Sequence, residues 1–180
     1  MTLIKYIYTF KLFLLSRIYH FEKWHWKNNL ESVKYKKVVI NKINELSVKT
    51  VIEVGCGLGE ILGNLNAKHV IGYDTSKEVI VAGKFLYKKV QFNTSDLNYQ
   101  PIKSDLFITL NWIHNIESTE LENLLKPHIE TSTFFICDSA KGPGYKFKHS
   151  FENMFQSNLV DKQIIFSDSS REIYLFRIQK

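Results

Sequence analysis

One stretch of the chain combines residue types and spacing that could do chemistry. An apolar run leads to Glu53, and glycine then occupies every second position of a short turn: Gly55, Gly57 and Gly59. Glycine adopts backbone conformations closed to other residues and lets a ligand approach without a Cβ atom in the way. A helix that begins at such a turn offers free N–H groups and the positive end of its dipole to a carboxylate or phosphate. The segment therefore predicts a ligand site.

Two further acids follow the next two apolar runs. Asp74 comes about 20 residues after Gly55, and an acid at that spacing can accept hydrogen bonds from both ribose hydroxyls of an adenosine. Asp96 follows the third run. The carboxyl ends of parallel strands meet at one edge of a sheet. We therefore expect Glu53, Asp74 and Asp96 to lie along that edge, where doubly wound folds bind ligands.

The elements that must position these acids can be predicted from residue 50 onward. Short apolar runs alternate there with helical patterns, which is typical of a parallel sheet with crossover helices. The predicted strands cover residues 50–54, 69–73, 90–93, 106–110, 133–137, 163–166 and 173–178. The predicted helices cover residues 60–66, 76–86, 118–125 and 151–156. Ser76 is expected to cap the second helix, and Pro127 to end the third.

The end of the chain breaks this alternation. Residues 142–144 are predicted to form a loop, and the polar turn 167–170 separates two strands with no helix between them, which indicates a hairpin. We therefore predict an α/β fold. Its core is a Rossmann-like, doubly wound sheet of about seven strands, mostly parallel, with a C-terminal antiparallel hairpin.

Composition and charge limit the class of protein. The 180 residues suit one domain, and two cysteines make no disulfide framework, which favours a reducing, cytoplasmic location. The net charge of +6 is uneven, because residues 1–49 carry ten Lys or Arg against three Glu. The basic excess therefore belongs to the N-terminal part of the chain, which bears on its partners rather than on its fold.

The glycine turn and the three acids resemble class I S-adenosylmethionine-dependent methyltransferases. The first motif of that family is an acid two residues before Gly-x-Gly-x-Gly, which matches Glu53 to Gly59. The resemblance implies that Asp74 binds the ribose, that Asp96 contacts the adenine, and that residues 105–112 form the strand that ends beside the methyl group. The implied cofactor is S-adenosylmethionine, bound by Glu53, Gly55, Cys56, Gly57, Gly59, Asp74, Thr75, Asp96, Leu97 and Asn111. A nicotinamide site would prefer Gly-x-Gly-x-x-Gly spacing.

The segment after the fourth strand is where an acceptor would lie in such a fold. His114 is the candidate catalytic base there, since histidine exchanges protons near neutral pH and a hydroxyl acceptor benefits from a base. A histidine at this position can equally cap or pack. Trp112 is expected either in the core or as a wall of the cofactor pocket. No metal site is expected.

Residues 1–32 form a basic, aromatic arm before the catalytic domain expected at residues 33–180. Charged residues interrupt its apolar run too often for a transmembrane helix: Lys5, Lys11 and Arg17. Three interpretations stay open, namely a lid over the site, an interfacial helix on an anionic membrane, and a dimerisation element. The expected location is the cytoplasm, and the arm leaves association with a membrane open.

The resemblance favours O-methylation of a small molecule or sugar. A bare catalytic domain behind an aromatic arm resembles methyltransferases of bacterial surface polysaccharide. The alternative is a nucleic-acid (RNA) methyltransferase, since basic and aromatic residues alternate in the arm. Against it, the Asn/Asp-Pro-Pro-aromatic signature is absent after the fourth strand, where Leu110 to Ile113 stand instead. A non-catalytic cofactor-binding subunit is the third hypothesis.

Overall fold

A computed structural model describes residues 3–141 and 144–179. Its centre is a seven-stranded sheet with the order β3-β2-β1-β4-β5-β7-β6. The strands are β1 (Thr50–Val54), β2 (His69–Asp74), β3 (Gln91–Thr94), β4 (Leu106–Thr109), β5 (Phe134–Ala140), β6 (Leu159–Ser167) and β7 (Arg171–Ile178). The first five strands are parallel, whereas β7 is antiparallel to both β5 and β6. This confirms the predicted doubly wound sheet and its C-terminal hairpin.

Six α-helices surround the sheet in the part of the chain that the structure describes. They are α1 (Leu3–Tyr19), α2 (Lys23–Lys27), α3 (Lys34–Glu45), α4 (Lys77–Leu86), α5 (Ser118–Glu130) and α6 (Phe151–Met154). Single 3₁₀ turns cover Leu62–Asn64 and Ile113–Asn115. The predicted loop at residues 142–144 falls partly on residues 142 and 143, which lie outside the described residues.

The sheet separates two apolar cores. On one face, α3 contributes Val39 and Ile43 to a cluster with side chains of β1, β4 and β5. On the other face, α5 contributes Leu121 and Leu125 beside Phe107. Because both faces are covered, β4 is buried at every position, as a central parallel strand should be. The chain runs from β1 to β2 and β3 on one side and then crosses to β4 on the other side of β1. A crevice opens beyond the ends of the strands where this reversal occurs.

The helix predicted at residues 60–66 is wrong, because only the 3₁₀ turn Leu62–Asn64 forms there. In an α-helix the backbone N–H of Asn64 would donate to the carbonyl of Glu60. Here it donates to Ile61 at 3.0 Å, and the Asn64 side-chain amide takes the Glu60 carbonyl instead, at 2.7 Å. A side chain that competes with the backbone for its acceptor shortens a helix, and Gly63 lowers helix propensity further.

The prediction that Pro127 ends its helix is also wrong, since α5 continues to Glu130 with Pro127 inside it. A proline inside a helix removes one backbone hydrogen bond and costs about 3 kcal/mol. His128 and Ile129 lie beyond it and are buried against the sheet, and this packing favours the extra turn. The predicted cap is confirmed, because Ser76 Oγ accepts a hydrogen bond from the N–H of Val79 at 3.2 Å.

Candidate active site

A cavity of about 660 Å³ opens at the carboxyl ends of β1, β2 and β4. This volume lies within the range of small-molecule sites in proteins. The predicted residues that line it are Glu53, Gly55, Cys56, Gly57, Asp74, Thr75, Asp96 and Asn111. The structure therefore brings together the glycine turn after β1 and the acids at the ends of β1, β2 and β3.

The glycine turn needs glycine for two different reasons. All three residues have positive φ: +72° at Gly55, +53° at Gly57 and +74° at Gly59. A Cβ at Gly55 would also lie 2.1 Å from Cδ1 of Trp112, whose indole N–H donates to the carbonyl of Val54 at 2.8 Å. A Cβ at Gly59 would instead meet Phe92 at 2.4 Å. Gly55 therefore shapes the cavity wall with Trp112, whereas Gly59 permits packing behind the cavity.

Glu53 is a buried carboxylate that faces the cavity. Its exposed fraction is 4%. Among the residues that the structure describes, none forms a hydrogen bond with its Oε2 atom. Burial raises the pKa of Glu53 to about 8, against the opposing charge of Lys36. At neutral pH the group therefore holds a proton, and a cationic ligand group would supply the partner that it lacks.

Asp74 joins the glycine turn to the end of β2. Its Oδ2 atom accepts a hydrogen bond from the N–H of Gly57 at 2.9 Å, and its Oδ1 atom accepts one from the N–H of Ser76 at 3.0 Å. A carboxylate oxygen has a second lone pair, so each atom can still accept a hydroxyl. The carboxylate is thus fixed in place before any ligand arrives.

Two residues predicted near the third strand end differ in position. Asp96 is exposed at the cavity mouth and accepts hydrogen bonds from the backbone and side-chain amides of Asn98, at 2.8 and 3.0 Å. Leu97 is buried in the apolar core instead, where its carbonyl lies 3.0 Å from Nε2 of His128. Leu97 therefore supports the strand end from behind.

The opposite side of the cavity is built around Asp138 of β5, which has no exposed surface. Its Oδ2 atom accepts from Nη1 of Arg171 at 3.0 Å, and its Oδ1 atom accepts from the N–H of Asn111 at 3.0 Å. Arg171 also donates to the Asn111 side chain and lies over the ring of Tyr35, 4.6 Å from its centroid. The Asn111 amide donates in turn to Tyr35 Oη at 3.0 Å. This network holds Asn111 at a φ of +75°.

Sequence reasoning missed three members of this network. Asp138 follows an apolar run, so its place at a strand end was a usable signal. Tyr35 and Arg171 carry no local signal, because only the tertiary fold brings α3 and β7 to the same cavity wall.

His114 lies behind the cavity wall and is 1% exposed. Its Nε2 atom is 3.3 Å from Oδ1 of Asp138, yet the geometry makes no hydrogen bond between these atoms. Its ring packs edge-on against Tyr145, with centroids 4.9 Å apart, and Tyr145 lines the cavity. A role for His114 as a base therefore stays a prediction, one that requires Tyr145 to give access to it.

The N-terminal arm forms part of the cavity wall. Trp24, His25 and Asn28 line it, and Nδ1 of His25 lies 3.2 Å from where a Cβ of Gly57 would be. The rings of Trp24 and His25 stack at 3.6 Å. Burial, together with the charge of Lys36, lowers the pKa of His25 to about 4. His25 is therefore a neutral side chain over the glycine turn at physiological pH.

Glu60 holds the arm in this position. Its carboxylate accepts from Lys36 Nζ at 2.6 Å, from Tyr8 Oη at 2.9 Å and from the N–H of Leu30 at 3.0 Å. Glu60 is 3% exposed, and its position just after the glycine turn gave no sign of this role. The arm is therefore tied directly to the residue that follows Gly59.

Comparison with solved structures identifies the fold. The N-methyltransferase NodS from Bradyrhizobium japonicum WM9, solved with S-adenosyl-L-homocysteine, superposes with a TM-score of 0.73 at 14% identity, covering 96% of this chain and 100% of that one. Magnesium protoporphyrin IX methyltransferase from Synechocystis PCC 6803, with bound S-adenosylmethionine, gives 0.69 at 15% identity, covering 98% and 95%. Human N-acetylserotonin methyltransferase gives 0.64 at 15% identity, covering 93% and 55%. The chain has the fold of S-adenosylmethionine-dependent methyltransferases.

Sequence comparison gives a more limited match. The chain is 31% identical to "Putative methyltransferase 235L" of Invertebrate iridescent virus 6, over 50% of this chain and 38% of the viral protein. The chain therefore matches well under half the length of that relative. No protein-family model matches the chain. The neighbours of known structure are methyltransferases of unlike substrates, so the shared fold leaves the acceptor open.

Proposed function

We propose that the protein binds S-adenosylmethionine and transfers its methyl group to a hydroxyl of a small molecule or sugar. The observation that carries the proposal is Glu53, a buried carboxylate that faces the cavity beside a glycine turn and has no hydrogen-bond partner for Oε2 among the described residues. Leaving such a group unsatisfied is costly, and the cofactor offers a cationic amino group that can satisfy it.

The other cavity residues suit the rest of that cofactor. Asp74, held by the turn, has lone pairs available for the ribose hydroxyls, and Asp96 lies where an adenine would reach the cavity mouth. Gly55 and Gly57 let the chain approach the ligand closely. When bound, the cofactor supplies a methyl group on a positively charged sulfur. The task of the protein is then to hold an acceptor in line with that group and to exclude water.

The cavity wall next to Asp138, which we call the acceptor side, favours a small, polar acceptor. Tyr35, Asn111 and Arg171 line it with hydroxyl, amide and guanidinium groups, and the Tyr145 ring also lines it. The catalytic region is also close to neutral, because the basic excess belongs to residues 1–49. A cavity of this kind suits a sugar or a small hydroxyl compound better than a nucleic-acid backbone. His114 is the proposed base, reached by movement of Tyr145.

The first test is calorimetric titration with S-adenosylmethionine and S-adenosylhomocysteine. We expect micromolar binding that Asp74→Ala weakens by about 1–3 kcal/mol, the cost of leaving buried hydrogen bonds unmade. The matched control is Asp161→Ala, which removes an exposed carboxylate paired with Arg177 in the C-terminal hairpin and should leave affinity unchanged. Absence of binding by the unaltered protein would overturn the proposal.

The acceptor is tested separately with radiolabelled cofactor and panels of nucleotide sugars, glycans, small hydroxyl compounds and RNA. Labelling of a hydroxyl compound supports the proposed acceptor class. Labelling of RNA alone, with affinity that falls steeply with salt, would replace it with nucleic-acid methylation. Cofactor binding with no transfer to any panel would instead indicate a non-catalytic subunit.

A further inference from the structure

Helix α1 exposes a continuous apolar face. The side chains Leu3, Ile7, Phe10, Leu14 and Ile18 follow at intervals of three or four residues, and between 46% and 74% of each is exposed. This spacing puts them on one side of a helix. The opposite side buries Leu12 and Leu15 against Leu58 and α4. The exposed face is therefore additional to the face by which α1 packs on the protein.

The same surface continues onto α4. The ring of Tyr19, at the end of α1, lies 6.0 Å from that of Phe85, and Phe85 and Val81 are 51% and 52% exposed. Lys84 is exposed on the same helix, and Lys88 Nζ lies 5.7 Å from the Phe85 ring. We call the five side chains above, with Val81 and Phe85, the α1–α4 patch. Lys84 and Lys88 are the basic side chains beside Phe85, and the exposed Glu78 is an acidic side chain one turn before Val81.

The charges of α1 itself are all positive. From Leu3 to Phe21 the sequence contains no Asp or Glu, and Lys11 and Arg17 flank the apolar face. Lys11 is the middle residue of the 17-residue helix. Antiparallel pairing of α1 with a second copy would therefore set each Lys11 near its own equivalent, and like charges at close range disfavour such a dimer. An apolar face bordered by cations complements a surface that is apolar inside and anionic outside.

We propose that the α1–α4 patch binds the surface of an anionic lipid bilayer, with α1 lying in the plane of the membrane. A 17-residue helix is about 25 Å long. Among the described residues, no helix is long and apolar enough to cross a membrane. Apolar and aromatic side chains would enter the headgroup region while Lys11, Arg17, Lys84 and Lys88 remain at the phosphates. This inference is independent of the proposed methyl transfer.

The test is co-sedimentation of the full chain with vesicles. We expect the protein to bind vesicles of phosphatidylcholine with about one third phosphatidylglycerol, and to bind pure phosphatidylcholine at least about tenfold more weakly. Raising salt from about 0.1 M to about 1 M shortens the Debye length from about 10 to about 3 Å and should reduce binding without abolishing it, because the apolar contribution remains.

Two variants separate the contributions of the patch. Ile7→Glu with Phe10→Glu should lower vesicle partitioning by at least about tenfold, since it removes two insertable side chains and adds negative charge. Lys11→Glu with Arg17→Glu should lower it by a similar factor on anionic vesicles only. The control is Ile164→Glu, which replaces another isoleucine, on β6, whose exposure is similar to that of Ile7. This variant should partition to vesicles as the unaltered protein does. Thermal unfolding of each variant confirms that it is folded.

Three outcomes would overturn the proposal. The first is no binding of the unaltered protein to anionic vesicles. The second is a dimer, seen by light scattering, that Phe10→Glu dissociates while vesicle binding is absent. The third is full vesicle binding by the Ile7→Glu, Phe10→Glu variant. That result would mean that anionic vesicles bind the basic side chains nonspecifically and that the apolar face takes no part.

Discussion

Glu53 and Asp138 are two buried acids that differ in their partners. Glu53 lines the cavity, whereas Asp138 lies behind Asn111 and Arg171, which line it. Asp138 accepts from the Arg171 guanidinium and from the Asn111 backbone. Glu53 is similarly buried, yet its Oε2 atom finds no hydrogen-bond partner within the described part of the chain. A buried carboxylate with partners serves the fold, whereas one without them costs stability unless a ligand completes it. We therefore expect Asp138 to hold the acceptor side in place, and Glu53 to bind the ligand directly.

The largest expected effect is on stability, at Asp138. Replacing Asp138→Ala leaves Arg171 largely buried without its counter-charge and frees the Asn111 N–H, so the free energy of unfolding should fall by about 3–5 kcal/mol. Denaturant titration measures this loss. Removing both charges in Asp138→Ala with Arg171→Met should restore part of it. A loss below about 1 kcal/mol would mean that Asp138 contributes no more to stability than an exposed ion pair does.

The next effect comes from His25, a buried titratable group of the N-terminal arm that lies over the glycine turn. Its pKa is about 4 when folded and 6.5 when unfolded, so the unfolded chain binds more protons between these values. Stability should therefore fall as the pH drops from 6.5 to about 4, by up to about 3 kcal/mol, at about 1.4 kcal/mol per pKa unit. Denaturant titration across this range should show a shallower fall in His25→Gln. Equal slopes in both proteins would mean that His25 is accessible to water.

A smaller effect is expected at Glu53, on affinity rather than on folding. Glu53→Gln keeps the size of the side chain and removes its charge, so cofactor binding should weaken by about 2 kcal/mol, the range for hydrogen bonds to charged groups. Stability at neutral pH should change little, since Glu53 is already protonated there. Calorimetry and denaturant titration on the same variant measure both quantities. Unchanged affinity would remove Glu53 from the binding site.

The smallest expected effect is the release of a proton when the cofactor binds. If the cofactor amino group pairs with ionised Glu53, binding near pH 7 should release close to one proton, since the pKa of free Glu53 is about 8. The release should shrink as the pH rises past this value, because Glu53 is then already ionised. Calorimetry in buffers of different ionisation enthalpy counts the proton, and Glu53→Gln is the control. Proton uptake in place of release would contradict the pairing.

The same two sides differ in how far the sequence predicts them. The glycine turn, Asp74 and the strands of the sheet follow from local patterns, because each strand end carries its own signal within a few residues. The Asp138 side could not be predicted as a network, since Tyr35 and Arg171 acquire a function only by meeting in the tertiary fold. His114 shows the limit within a single residue. Its type and position predict a base, but no pattern in the sequence indicates that the Tyr145 ring packs against it.

Two errors in the helices have the same origin. Residues 60–66 have a pattern typical of a helix, yet the Asn64 side chain competes for the Glu60 carbonyl. Pro127 is typical of a helix end, yet buried side chains beyond it favour another turn. In each case side-chain contacts outweigh the local propensity on which the prediction rests.

The position of β7 between β5 and β6 bears on how the protein folds. Gly57 and Asp74 are near each other in the chain and close only a short loop when they meet. Arg171 must instead reach Tyr35 across most of the described sequence, and contacts between residues so far apart in the chain form slowly. The cofactor side should thus mature first during synthesis. The acceptor side is completed only when the β6–β7 hairpin, which carries Arg171, has packed against β5. We therefore expect a nascent chain to form the glycine turn before it forms the proposed acceptor pocket.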